Sequence, residues 1–308
     1  MAVPSGPMNV AATPPLRSNG FALDMSAKRL GRLTPTAASE PVKALRERFE
    51  AEGYVWLKGL LPRQDVLDFR RHFFRQFTDT GLLAEGSDPG DGIAAPERRD
   101  TDTDRRRLME LVRSAAYESF CLHPRLVAFM DAFVAGPSYL HKRKLIRYTR
   151  PGDPSATGAH YDLTYLRGGT DRLVTAWIPI GDVPVAMGGL VYLEGSGANG
   201  RTMEAEFARD HAHLPAAERI VAFNKTMNDG GWITKDLPAL AERLDSRWLA
   251  ADYEAGDVVL HSPYMIHAAT CNDVSDGRMR LSTDIRFQNV RDEIDARWAN
   301  HWSLGDML

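Results

Sequence analysis

The chain has 308 residues, of which 44% are hydrophobic and 26% charged, enough apolar material for a buried core. A formal net charge of −3 gives no electrostatic reason to expect nucleic acid, and no apolar run approaches the roughly eighteen residues of a membrane-spanning helix. Cys121 and Cys271 lie far apart, so no disulfide framework is expected, and with no apolar leader core near the N-terminus the expected setting is a reducing cytoplasm.

Residues 1–39 are rich in Pro, Ala, Ser and Gly with little periodicity, which predicts a partly ordered N-terminal arm; residues 40–308 predict a single domain. Val42, Leu45 and Phe49 share a face and predict a helix. The aromatic, alternating run at 53–60 predicts a strand, and Leu60-Leu61-Pro62 opens a second helix with Val66, Phe69 and Phe73 as its apolar stripe. Residues 84–107 carry Glu85, Asp88, Asp91, Asp100, Asp102 and Asp104, then Arg105-Arg106-Arg107; a solvated surface loop is expected there rather than a lid. Further helices are expected near 108–120 and 124–135.

From Tyr139 onward strands take over. One at 145–150 is closed by the turn Pro151-Gly152-Asp153-Pro154; another carries His160-Tyr161-Asp162 and ends at Arg167-Gly168-Gly169-Thr170. Strands follow at 173–180 and 190–193, with Gly188-Gly189 between them. Residues 198–247 read as an insertion, with a helix near 215–223 and the segment Gly230-Gly231-Trp232-Ile233-Thr234-Lys235-Asp236. The last strands are expected at 248–253, 257–261, 266–271 and 278–288. Short strands, Gly/Pro turns and helices gathered in the N-terminal half imply an α+β chain on a jelly-roll barrel.

Alternate side chains of a strand share a face, so His160 and Asp162 aim at one point and Tyr161 aims away. Two histidines and a carboxylate with open positions form the facial triad of non-haem Fe(II) oxygenases. The third ligand must come from a distant strand; His267 is the best candidate, and His261 is either a pocket neighbour or a packed core histidine. Arg278, eleven residues after His267, has the planar fork that grips a carboxylate. Arg280 and Ser282 share its face if the strand is regular, and Thr157 and Tyr165 flank the first ligands. Trp177 reads as barrel packing, Trp232 and Lys235 as a substrate entrance or plain surface, and His211/His213 as a pair without a third ligand.

The chain resembles the phytanoyl-CoA dioxygenase family of Fe(II)/2-oxoglutarate-dependent oxygenases. The likeness rests on His160-Tyr161-Asp162, on TAWIPIGDVPVAMGGLVYLEGS at 175–196 and on GDVVLHSPYMIHAATCN at 256–272 with Arg278 behind it, and spans roughly residues 41–287. It implies a double-stranded β-helix (jelly-roll, cupin-like) core flanked by N-terminal helices. It also implies Fe(II) on His160, Asp162 and His267, the distal carboxylate of 2-oxoglutarate on Arg278, and dioxygen as the oxidant; Arg280, Tyr165 and Thr157 are, by position, further candidates to touch the cosubstrate. One departure is Gly195-Ser196-Gly197, where the family often reads "GSH". Asp162 argues against halogenation, which needs that ligand position vacated. The expected activity is oxidation, foremost hydroxylation, of a C–H bond in a free small-molecule metabolite such as a natural-product intermediate. Arg105-Arg106-Arg107 is the basic cluster weighed for a coenzyme A phosphate, and a free metabolite is preferred. The alternative is a non-catalytic metal-binding jelly-roll, a sensor or binding module, which the retention of triad and arginine together disfavours. No nucleic-acid or membrane partner is expected, and a homodimer is left open.

Overall fold

The structure is a computed structural model that describes residues 15–97, 101–215, 218–219 and 232–303. Short strands β1 (Arg17–Ser18), β2 (Phe21–Ala22), β3 (Leu30–Arg32) and β4 (Pro35–Ala37) lead in. Helix α1 (Val42–Glu52), β5 (Tyr54–Lys58) and helices α2 (Arg63–Arg75), α3 (Thr101–Val112), α4 (Ala115–Cys121) and α5 (Pro124–Phe133) follow. The barrel continues with β6 (Ser138–Leu140), β7 (Leu145–Thr149), the one-turn α6 (Leu163–Leu166), β8 (Val174–Pro179), β9 (Leu190–Leu193) and α7 (Gly197–Asp210). After a helix at Leu237–Arg243 come β10 (Trp248–Ala250), β11 (Val258–His261), β12 (His267–Ala269) and β13 (Arg280–Asn289).

Two sheets face each other. The larger runs β4-β5-β11-β8-β13-β6, with β7 also paired to β13; the smaller runs β12-β9-β10-β3. Period-two alternation assigns the side chains to layers. Val55, Leu57, Val258, Leu260, Ala176, Ile178, Leu281, Ile285 and Phe287 turn outward and bury the apolar stripes of α1, α2 and α5. Tyr54, Trp56, Trp177, Val259, Tyr192 and Leu249 turn inward and fill one end of the space between the sheets. Val191, Leu193, Trp248, Ala250 and Ala268 cover the outer face of the smaller sheet, where Tyr161 also packs. One end of the barrel is thus closed by aromatic rings, and the other keeps a polar lining.

The stretch expected to be an arm is strand-forming over much of its described part. β3 pairs in parallel with β10 and β4 in parallel with β5, with Leu16, Leu23, Leu30 and Leu33 buried. The acidic loop expected at 84–107 gives way to α3 at Thr101, with Leu108, Leu111 and Val112 buried. The helix expected near 215–223 falls mostly outside the described residues, as do Gly230 and Gly231. Both cysteines are free and buried, and among the described residues no helix is long and apolar enough to cross a membrane.

Candidate metal centre and active site

His160, Asp162 and His267 come together in the polar end of the barrel, all buried, with one ligand atom of each within 4.8 Å of the others. His160 Nε2 lies 3.7 Å and His267 Nε2 3.9 Å from Asp162 Oδ1, room for one cation bound at about 2 Å from each. The HxD segment is not a regular strand, contrary to expectation. His160 forms an isolated antiparallel bridge with His267, and Asp162 has helical dihedrals (φ −66°, ψ −31°) where α6 begins. Alternation survives across that junction: Tyr161 points outward and its hydroxyl donates to Glu204 at 3.0 Å.

Each imidazole is fixed by its other nitrogen. Nδ1 of His160 lies 3.0 Å from the Gly158 carbonyl, and Nδ1 of His267 lies 3.0 Å from the Met265 carbonyl. A carbonyl only accepts, so both Nδ1 atoms carry the proton and both Nε2 lone pairs are left for a metal. Burial pushes the pKa of His160 down, and burial aided by His160 and His261 pushes that of His267 well down, so both rings are held neutral.

Burial alone would raise the Asp162 pKa, but Arg286, His261 and His267 outweigh it and hold the carboxyl well below the usual range. Arg286 Nη2 lies 3.2 Å from both of its oxygens, Thr175 Oγ1 donates to Oδ2, and His261 Nε2 stands 3.4 Å from Oδ2. His261 in turn meets the Tyr192 hydroxyl at 3.0 Å through Nδ1. It is therefore a fully buried neighbour of the ligand carboxylate. A neutral imidazole pair, an ionised carboxylate and braced orientations suit a divalent cation of the iron type.

A cavity of about 240 Å³ opens at the triad, lined among others by Thr157, Tyr165, Trp177, Trp232, Arg280 and Arg286. Thr157 and Tyr165 thus lie where the sequence suggested, with Tyr165 edge-on to His160 at 5.9 Å. Trp177 belongs to both the packed end and the cavity wall, and Trp232 stands edge-on to His160 at 5.3 Å.

Arg278 is not brought to the cavity. Gly277, with φ +79°, ends the preceding turn, and β13 begins only at Arg280. Arg278 instead bridges to Ile93, and its side chain, 41% exposed, bonds Asp276 at 2.6 Å. The expectation that Arg278 and Arg280 share a strand face fails because the regular strand starts after Arg278. Arg280 is buried in the cavity wall, donates to the Gly188 carbonyl and, at 3.0 Å, to Thr149 Oγ1, and keeps Nε without a hydrogen-bond partner among the described residues. Burial lowers its pKa to about 10, which leaves it cationic at neutral pH.

Sequence reasoning missed Arg147, Asp284, Arg286 and Thr175. The signal was present for two of them: Leu281, Ile285 and Phe287 mark one face of β13, so Ser282, Asp284 and Arg286 must occupy the other with Arg280. The Gly195-Ser196-Gly197 departure sits away from the triad. Ser196 is buried and accepts from the Ile266 amide at 3.0 Å, and Gly197 borders a separate surface groove.

Comparisons place these features among known proteins. A scan against protein-family models matches residues 49–280 to "Phytanoyl-CoA dioxygenase (PhyH)". A search of curated proteins finds no match. Among solved structures the chain is similar to the epimerase SnoN in complex with Fe3+, alpha ketoglutarate and nogalamycin RO, at 20% identity and TM-score 0.53, covering 82% of this chain and 85% of that one. It is similar to the carbocyclase SnoK from nogalamycin biosynthesis, at 19% identity and TM-score 0.53, covering 85% and 89%. It is also similar to EctD from S. alaskensis with bound Fe, at 14% identity and TM-score 0.52, covering 91% and 89%. At these identities the structures speak for the fold, and the family match, over most of the chain, speaks for the lineage: the chain belongs to the phytanoyl-CoA dioxygenase family of Fe(II)- and 2-oxoglutarate-dependent oxygenases.

Proposed function

We propose that the protein is a dioxygenase that hydroxylates a C–H bond of a free small-molecule metabolite, with Fe(II) on His160, Asp162 and His267 and the distal carboxylate of 2-oxoglutarate on Arg280. Fe(II) with 2-oxoglutarate and dioxygen would supply the oxidising power, 2-oxoglutarate losing CO2 and taking one oxygen atom to become succinate while the other goes to the substrate. The chain's own residues do the positioning. The Gly158 and Met265 carbonyls aim the two imidazoles, Arg286 and Thr175 keep Asp162 ionised and oriented, and Trp232 and Tyr165 flank His160. SnoN is recorded with alpha ketoglutarate and a small natural product together, which supports a free small molecule as the substrate class.

The observation that carries the clamp assignment is burial. Arg280 is a cation in the wall of the triad cavity with an unpartnered Nε, whereas Arg278 lies outside it beside Asp276. The test is the visible absorption band that 2-oxoglutarate gives on anaerobic Fe(II) protein, followed by succinate release in air. Wild type and Arg278→Ala are expected to give the band with similar affinity. Arg280→Ala is expected to weaken 2-oxoglutarate binding by about 2 to 5 kcal/mol, the usual range when one partner of a buried charge pair is truncated. Loss in Arg278→Ala with Arg280→Ala intact would return the clamp to Arg278. No band in wild type would favour the sensor or binding-module reading.

A further inference from the structure

Beyond the triad and the clamp, the cavity carries positive charge with no assigned use. Arg286 is buried against the Trp298 ring, its Cζ 5.1 Å from the centroid, and only Nη2 is engaged, with Asp162. Its Nε and Nη1 have no hydrogen-bond partner among the described residues. Arg147, opposite Ser282 in the β7–β13 ladder, lines the same cavity and has no hydrogen-bond or ion-pair partner among the described residues. Arg147 also lines a second, outer cavity of about 440 Å³, which shares Thr157, Trp232, Arg280 and Trp302 with the inner one. It therefore stands at the passage between the two spaces.

Charge counting sets the missing ligand's sign. Arg143, Arg147, Arg280 and Arg286 line the inner cavity, against two carboxylates, Asp162 and Asp284. Adding a divalent cation and the dianion of 2-oxoglutarate leaves the cavity with a net positive charge. An uncompensated cation in a poorly hydrated cavity is costly, and an incoming anion removes that cost. The inner space falls below the roughly 300 to 1,000 Å³ usual for a ligand pocket, so a substrate must extend outward past Arg147, where Trp232 and Trp302 offer apolar walls.

We infer that the primary substrate is an organic anion whose negative group pairs with Arg147 at the junction of the two cavities, its apolar part lying against Trp232 and Trp302. This rests on the 2-oxoglutarate reading above. It also gives direction: an anchored anion fixes which carbon of the substrate is presented toward the triad.

The test uses anaerobic Fe(II) protein saturated with 2-oxoglutarate, titrated calorimetrically with benzoate, its neutral counterpart benzamide, and phenyl phosphate. The 2-oxoglutarate absorption band is followed in the same samples. Benzoate or phenyl phosphate is expected to bind with the band retained, and benzamide at least about tenfold more weakly, as befits a charge-assisted hydrogen bond. The tighter of the two anions identifies the acid as a carboxylate or a phosphate. Arg147→Gln is expected to abolish the preference for the acid over the amide, and Arg147→Lys to restore part of it. Should Arg147→Gln lose the band through misfolding, the acid-to-amide ratio in wild type and in Arg147→Lys still decides. Equal binding of acid and amide, no binding of either anion, or displacement of 2-oxoglutarate by the anion would each overturn the inference. Absence of the band before any probe is added would instead overturn the 2-oxoglutarate reading.

Discussion

Thr175, standing behind Asp162, shows how much of the centre depends on residues that do not themselves reach a metal. The Thr175 hydroxyl, on β8, donates to the same Asp162 oxygen that His261 approaches. Thr175→Val keeps shape and removes the donor. Partners one step behind metal ligands are typically worth about 10- to 100-fold in affinity, so Thr175→Val is expected to weaken Mn(II) or Fe(II) binding by that factor in a competitive titration, with the fold intact. Asp162→Ala removes a proposed ligand and leaves Arg286 buried without its anion; metal binding and succinate formation are both expected to disappear. Undiminished oxygen-dependent turnover in Asp162→Ala would remove Asp162 from the centre.

At the scale of elements, strands were legible where their residues alternate, and the inward-facing arginine was misassigned where they stop alternating. Spacing counts residues along the chain, whereas the barrel counts residues along a strand. The turn through Asp276 and Gly277 uses up residues before β13 becomes regular, so the inward face starts at Arg280. The His160/Asp162 pair was readable because side-chain alternation persists through one residue of either conformation; that Asp162 opens a helical turn was not. Arg147 carried no signal, since a lone arginine in a strand reads the same whether it faces water or a cavity. The loop before β9 ties the proposed clamp, Arg280, to the fold. Gly188 has φ +78°, a Cβ there would stand 2.4 Å from the Thr270 carbonyl oxygen, and its own carbonyl accepts from Arg280. Gly188→Ala is expected to cost about 1 to 3 kcal/mol in a denaturant titration and to weaken 2-oxoglutarate binding with it.

For the whole molecule, burial of neutral imidazoles makes the metal-free protein acid-sensitive. Burial lowers the pKa of His160 and of His267, and burial outweighs the Gln288 hydrogen bond to lower that of His141. In the unfolded chain these rings take up protons near pH 6.5. Below that pH the unfolded state binds more protons than the folded one, so stability falls as pH drops through about 6.5 and is level above it as far as these groups are concerned. Denaturant midpoints of apo protein between pH 7.5 and about 5 should show this decline, and His141→Asn should flatten part of it. A stability that stays level or rises toward acid would count against neutral buried rings.

The bridge between His160 and His267 reaches further than ligand placement. Each residue's amide donates to the other's carbonyl, at 3.0 and 2.9 Å, so the two proposed ligands are set by a backbone ladder joining segments far apart in the chain. A metal bound there is a cross-link laid over an existing seam, and opening that seam means releasing the ion. The ion then acts as a removable staple: the free energy of binding it adds directly to the free energy of holding the barrel shut, and unfolding temperature should climb with the logarithm of free metal concentration.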